Sequence, residues 1–315
     1  MTDGALTIRS SHEGDLDQVM ALAGRSLGWA GDERDRAFFR WKHEENPAGR
    51  SPGWVAVDDG QIVAFRTFLR WGFHAGDTTL QMVRAVDTAT DPDHQGRGLF
   101  TRLTLQAADD LTAAGVDAVF NTPNDQSRPG YLKMGWHELG RPTIGMRPAS
   151  VLRLPVLRRA RTAAEKWSEP CTIGEPAAEA LSDSSVAALA AAAPASAGWS
   201  TARSPDYLAW RYRFEPLQYR AVEAGGGLVV FRVRRRGPAR EVAIVEWLAP
   251  RPDRAALAKL VKEAGDYAVG VGLGVAHGVI PLPRQGPIVT WRPLARAAVP
   301  SLGDLSFSLG DLELF

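Results

Sequence analysis

The sequence predicts an α+β chain of two tandem domains, each a mixed central sheet flanked by helices, the second a degenerate copy of the first. Three observations carry this reading. A strand, a glycine-punctuated loop and an amphipathic helix follow one another at 80–114. The first 146 residues read strand–helix–strands–helix–strand–helix–strand, an order that fits an α+β domain. The segment FFRWKHEENP at 38–47 returns as YLAWRYRFEP at 207–216, and a recurrence at that distance marks a repeated fold. A chain of 315 residues is also the length of two ordinary domains.

In chain order, LTIRSS (6–11) reads as a strand and HEGDLDQVMALAGRSLG (12–28) as an amphipathic helix. Strands at 54–58 and 61–71 flank the turn Asp58-Asp59-Gly60. LQMVRAVDTAT (80–90) is β-rich and uncapped, hence a strand. DPDHQGRGLFTRL then gives a turn at Asp91-Pro92, a loop Gln95-Gly96-Arg97-Gly98, and a helix whose Leu99, Leu103, Ala107 and Leu111 recur at helical spacing, closed by Gly115. VDAVFNT (116–122) is a short apolar strand, and 124–136 holds a short helix, a Gly135 turn and a further strand. The first domain therefore runs over 1–148.

The stretch 147–166 carries five arginines among leucines and reads as a solvated connecting helix, with the linker proper at 149–166. The alanine-rich 176–198 keeps a stripe of Leu181, Val186 and Leu189 and reads as helix. In the second domain, 167–315, Trp210 aligns with Trp41, Arg211 with Lys42 and Pro216 with Pro47. RAVEAGGGLVVFRV then repeats the strand–turn–strand of VAVDDGQIVAFRT. VAIVEWL (242–248) stands for the core strand and 254–265 for the helix, joined by APRPDR without a glycine loop. SFSLGDLELF (306–315) reads as the last strand.

A net charge of +1 argues against a strongly basic nucleic-acid surface. The single cysteine, Cys171, excludes an intrachain disulfide framework and a multi-cysteine zinc site, so no metal is expected. No apolar run resembles a signal peptide or a membrane span, and the expected location is the cytoplasm, with no membrane partner.

Strand, glycine loop and helix N-terminus together form an anion cradle. The helix dipole and the free N–H groups point at whatever fills the loop, and Gly96 and Gly98 permit close approach. Gln95-x-x-Gly98-x-Phe100 resembles the R/Q-x-x-G-x-G/A element of the GCN5-related N-acetyltransferases (GNATs), with the bulky Phe100 resembling the enhanced-intracellular-survival-like branch. YLKMGW (131–136) resembles that family's YxxxGF. Asn124, Ser127, Gly130 and Tyr131 fall on its N-x-x-A-x-x-F-Y, with Gly130 in the Phe position. The resemblance implies that Gln95, Gly96, Arg97, Gly98, Leu99 and Phe100 hold the pyrophosphate of acetyl-CoA. It further implies that Thr88, Ala89 and Thr90 pair with the pantetheine arm, that Asn124 lines the groove, and that Tyr131 is the general acid for the thiolate.

The general base stays open at this stage. Asp87 and Glu44 are the candidates, with His43 and Glu45 near them, and strand alternation puts Asp87 on the face opposite Arg84. Arg84 is a candidate for binding an anionic acceptor. The reading is an N-acetyltransferase moving an acetyl or longer acyl group to a primary amine of a small molecule, amino sugar or peptide by direct attack in a ternary complex. The alternative is a non-catalytic acyl-CoA sensor whose second domain meets a partner. The acceptor, the acyl length and homodimerisation are left open.

Overall fold

The computed structural model describes residues 6–160, 162–182, 198–295 and 297–313. Along the chain run β1 (Thr7–Ser10), α1 (Leu16–Leu27), α2 (Glu33–His43), β2 (Gly53–Asp58), β3 (Gln61–Ala75), β4 (Thr78–Thr90), α3 (Leu99–Ala113), β5 (Ala118–Asn121), α4 (Arg128–Lys133) and β6 (His137–Gly140). Then come β7 (Ile144–Pro148), α5 (Leu154–Arg159), β8 (Glu175–Pro176), α6 (Ala177–Ala180), β9 (Trp199–Thr201), α7 (Pro205–Tyr212), β10 (Arg220–Ala224), β11 (Gly227–Arg236) and β12 (Ala239–Leu248). Last are α8 (Arg254–Ala264), β13 (Tyr267–Val271), β14 (Ile280–Leu282), β15 (Val289–Pro293), β16 (Leu305–Ser306) and α9 (Leu309–Leu312).

Contacts divide these elements into two units. The first comprises the described residues up to Leu139 together with those of 289–299; the second comprises those of 140–288 and 300–313. The first unit's sheet has the order β1-β2-β3-β4-β5-β15-β6, with β4 and β5 parallel and β15 antiparallel to β5. One face carries α3 and α4 over a core of Phe68, Val83, Ala85, Leu99, Leu103 and Tyr131. The other carries α1 over Val55, Ile62 and Phe65. Helix α2 begins where Asp32 accepts from the Asp35 N–H at 2.9 Å, and it places Arg40, Lys42 and His43 in its last turn, where the dipole favours cations.

The second unit repeats this order as β8-β10-β11-β12-β13-β7-β14, with β12 and β13 parallel and β7 antiparallel to β13. The tandem α+β reading therefore holds strand for strand. Its boundaries do not coincide with the contacts. The strand expected to close the first domain near 146 is β7, registered with β13 through Met146 and Val269. The matching place beside β5 is taken by β15, registered through Trp291 and Phe120, and the sequence reading had passed over it. Strand propensity is local, whereas the choice of pairing partner rests on long-range packing, here the edge contact of Phe73 and Phe120 and the approach of Trp291 to Phe73.

Two further expectations change. The C-terminal stretch holds only the two-residue β16 before turning into α9. Ser308 and Asp311 form a reciprocal capping box there, which closes a helical turn in place of an extended strand. The arginine-rich 147–166 forms one short helix, α5, inside the second unit. Of the alanine-rich 176–198, α6 covers the start, and 183–197 lie outside the described residues. None of the described helices is long and apolar enough to cross a membrane.

Candidate active site

The glycine loop of the first unit has the backbone of a cradle. Gly96 and Gly98 stand at φ 75° and 71°, and a Cβ on either would meet nothing within 4 Å. These glycines therefore serve the left-handed backbone and leave open space above it. The first rung of α3 is Arg102 N–H to Gly98 C=O at 3.0 Å, so the N–H groups before it have no helical acceptor. The loop is anchored from below. Arg25 pairs with Asp91 at 2.9 Å, and Asp58 receives both Arg97 at 3.3 Å and His94 at 3.2 Å.

A slot leads away from the cradle along β4. Strand β5 pairs with β4 only over Met82–Arg84, whereas β3 pairs with it as far as Thr90. From Ala85 to Thr90 the edge of β4 that faced β5 has no strand beside it among the described residues, so its amide groups can receive an extended chain as an added strand would. Thr88, Ala89 and Thr90 lie on this stretch.

Within the slot β4 bulges. Arg66 pairs with Thr88 and Thr67 with Val86, leaving Asp87 as the extra residue at φ 35°. A bulge re-aims its side chain, and the alternation expected between Arg84 and Asp87 does not hold across it. The Asp87 carboxylate accepts from His43 Nε2 at 2.7 Å and meets Lys42 Nζ at 2.8 Å, all three side chains being almost fully buried. Burial pushes the carboxyl up, yet the Lys42 ammonium and the His43 ring hold it far below the usual carboxylate range. Burial lowers His43 below the ordinary imidazole value against the pull of Asp87. Thr67 Oγ1 donates toward the Val86 and Asp87 carbonyls and steadies the bulge. Beside it opens a pocket whose lining includes Phe39, His43, Glu44, Arg50, Phe65 and Thr67.

Tyr131 is buried on α4. Its ring meets Phe100 edge-on at 5.3 Å and Trp136 at 5.1 Å, so one aromatic contact joins it to the cradle. Its phenol oxygen accepts from Arg66 Nη2 at 2.7 Å. A guanidinium only donates, so the phenol keeps its own proton to give elsewhere. Arg66 is fully buried, stacked on Phe68, Phe100 and Tyr131, and its Nε and Nη1 have no hydrogen-bond partner among the described residues.

A family model of the acetyltransferase (GNAT) domain matches residues 7–139. The first unit is a GNAT acetyltransferase domain. Both units together resemble solved structures over most of their length. A GCN5-related N-acetyltransferase from Kribbella flavida covers 92% of this chain and 71% of its own at 17% identity and a TM-score of 0.62. A probable N-acyltransferase from Enterococcus faecalis covers 92% and 73% at 11% identity and a TM-score of 0.66. Eis1 of Mycobacterium abscessus covers 92% and 74% at 16% identity and a TM-score of 0.57. At these identities the likeness is one of fold. Among curated proteins no sequence matches.

In this GNAT domain the remaining expected residues take the following places. Asn124 is exposed, and its Oδ1 accepts from Ser127 N–H and Oγ, both at 2.9 Å, so it fixes the turn into α4. Glu44 is half-buried at the pocket and pairs with Arg50 at 3.3 Å. Arg84 is buried against Trp71 and Phe120, donating to Thr122 Oγ1 at 3.3 Å, and is absent from the pocket lining. Phe100 and Gly130 form a matched exchange of bulk. A Cβ on Gly130 would stand 3.2 Å from the Phe100 ring, so the large residue at 100 requires the small one at 130. Sequence reasoning missed Arg66 and set His43 beside Glu44 and Glu45 near the acceptor site without choosing it as the base. The available signal was the Phe-Arg shared by both copies of the repeat.

The second unit closes the equivalent places with its own side chains. At the start of α8, Pro250 and Pro252 lack N–H groups, and the Asp253 carboxylate accepts from Ala255, Ala256 and Gly225 N–H at 3.1, 2.9 and 3.3 Å. A carboxylate thus takes up the N–H groups at the start of this helix. Arg232, the counterpart of Arg66, is neutralised by Glu313 at 2.6 Å. Tyr212, the counterpart of His43, donates to Glu246 at 2.8 Å, and Arg203 donates to the same carboxylate at 2.9 Å.

Proposed function

We propose that the first unit transfers an acetyl group from acetyl-CoA to a primary amine of a small molecule, amino sugar or peptide by direct attack in a ternary complex. The observation that carries this reading is the open edge of β4 between the cradle and the bulge. A thioester laid along it, pyrophosphate on Gln95–Phe100, would bring its acyl end to the bulge that borders the pocket. The Thr88–Thr90 amides would hold the pantetheine arm. Tyr131 would protonate the leaving thiolate, with Arg66 fixing the phenol by its hydrogen bond and placing a positive charge close to the sulfur as it becomes anionic.

The pocket is both apolar and charged. Phe39 and Phe65 would pack an acceptor's body, while Glu44 and Glu13 would attract its ammonium. The test is release of free thiol from acetyl-CoA with a panel of small amines: an amino-acid amide, an amino sugar and a polyamine. Amine-dependent thiol release with a mass gain of one acetyl group on the acceptor supports the reading. Thiol release that ignores the amine, or no release with any member, overturns it.

A further inference from the structure

Acyl transfer to an ammonium needs a base, and the carboxylates around the pocket are poorly suited to the task. Asp87 already accepts from two buried donors, and a carboxylate held so firmly as an anion retains a proton weakly. Glu44 is paired with Arg50, as is Glu13, and Asp15 with Arg9. His43 differs from them. Its Nε2 faces the Asp87 carboxylate at 2.7 Å, and an anionic carboxylate can only accept there, so the ring proton sits on Nε2. Its Nδ1 then carries the lone pair, is buried, and has no hydrogen-bond partner among the described residues. The ring packs on Phe39 at 4.4 Å and forms part of the pocket wall. A buried acceptor without a donor is costly to keep, and an incoming ammonium supplies the missing donor.

We propose that His43 is the catalytic base for the acceptor amine and that Asp87 is the residue that positions it. The inference rests on the acetyltransferase reading and extends it. The ammonium gives one proton to Nδ1, and the freed amine attacks the thioester carbonyl. The C–N bond forms, the C–S bond breaks, and the electron pair leaving with sulfur takes the Tyr131 proton. The second proton of the acylated nitrogen passes through solvent to the Tyr131 phenolate, and His43 returns its proton to solvent, so each turnover releases one proton. Asp87 keeps the tautomer with Nδ1 bare and stabilises the imidazolium while it exists, and Lys42 keeps Asp87 ionised. The repeat provides an internal comparison. At the counterpart of His43 the second unit has Tyr212, whose phenol donates to Glu246, and a phenol held as a donor has no free nitrogen to act as a base.

The titratable and charged groups facing His43 or sharing its pocket are Lys42 and Glu44 around α2, Asp87 on β4, Arg66 on β3, and His12, Glu13, Asp15 and Arg50. As pH falls, His43 gains a proton and the base is lost, so kcat/KM should fall on an acid limb below the ordinary imidazole value of about 6.5. The experiment combines two readouts. In ¹⁵N-histidine-labelled protein, with the signal assigned by its loss in His43→Gln, His43 should be neutral at pH 7 with its proton on Nε2. With the amine panel, His43→Gln should lower kcat about 100-fold or more, leave acetyl-CoA affinity unchanged and abolish the acid limb, while Asp87→Asn lowers kcat and moves the limb. An imidazolium at pH 7, a proton on Nδ1, or a His43→Gln protein that keeps both kcat and the limb overturns the proposal. If no amine yields thiol, the acetyltransferase reading falls, and the histidine spectrum still tests the pair by itself.

Discussion

Tyr131 and Phe100 touch edge to edge, yet they are expected to fail in different ways. Tyr131→Phe keeps the ring against Phe100 and Trp136 and removes only the hydroxyl bound to Arg66. If the phenol protonates the thiolate, turnover should fall roughly 10- to 1,000-fold with acetyl-CoA affinity nearly constant. A structural tyrosine would instead lower the melting temperature and leave turnover per folded molecule intact, so kinetics and melting on one preparation separate the roles. For Phe100 the expectation concerns packing. Phe100→Ala should cost about 2 kcal/mol, less than the ~3–5 of a fully buried phenylalanine, because the ring is only half-buried. Gly130→Phe alone should destabilise by overpacking against Phe100. The double variant should be more stable than Gly130→Phe, and a denaturation series showing strict additivity would refute the exchange of bulk between the two positions.

At the scale of elements, the cradle and the slot act through backbone, so substitutions that leave backbone alone should matter little. Arg97→Ala should weaken acetyl-CoA binding only slightly, whereas Gly98→Asp should abolish it. The aspartate adds a like charge beside the pyrophosphate, and the fold tolerates it at modest cost, since its Cβ meets nothing and aspartate visits the left-handed region. Calorimetry on the folded variant checks this, and unchanged binding would remove the cradle from the site. The bulge at Asp87 belongs to the same scale. It aims one carboxylate at the end of α2, and strict alternation could not have placed it there.

For the whole molecule, the two units share a strand order but differ in the buried polar groups they satisfy. Among the described residues the first leaves Arg66 Nε and His43 Nδ1 without partners; the second covers their counterparts with Glu313 and Glu246 and caps α8 with Asp253. One acetyl-CoA should therefore bind per chain, measured as calorimetric stoichiometry, and a value of two would contradict the closed second unit. Gly98→Asp should reduce that value to zero, since no second cradle remains to take over.

What the sequence by itself determined is what depends on neighbours along the chain. Apolar spacing placed α3, the glycines at 96 and 98 placed the loop, and Gly115 marked its end, because periodicity, caps and positive φ are local properties. The repeat exposed the second copy because both halves preserve the same core positions. The glycine loop and Tyr131 were singled out by their resemblance to short contiguous motifs, which are likewise local. Tertiary structure decided which strand closes each sheet, since Ile144–Pro148 and Val289–Pro293 are both acceptable strands and differ only in what they pack against. It also decided that Asp87 meets His43 across 44 residues of chain, and that Arg66 reaches Tyr131 across 65. No local pattern encodes those encounters. They follow from one extra residue in β4 and from the way two faces of one sheet bring distant side chains to the same place.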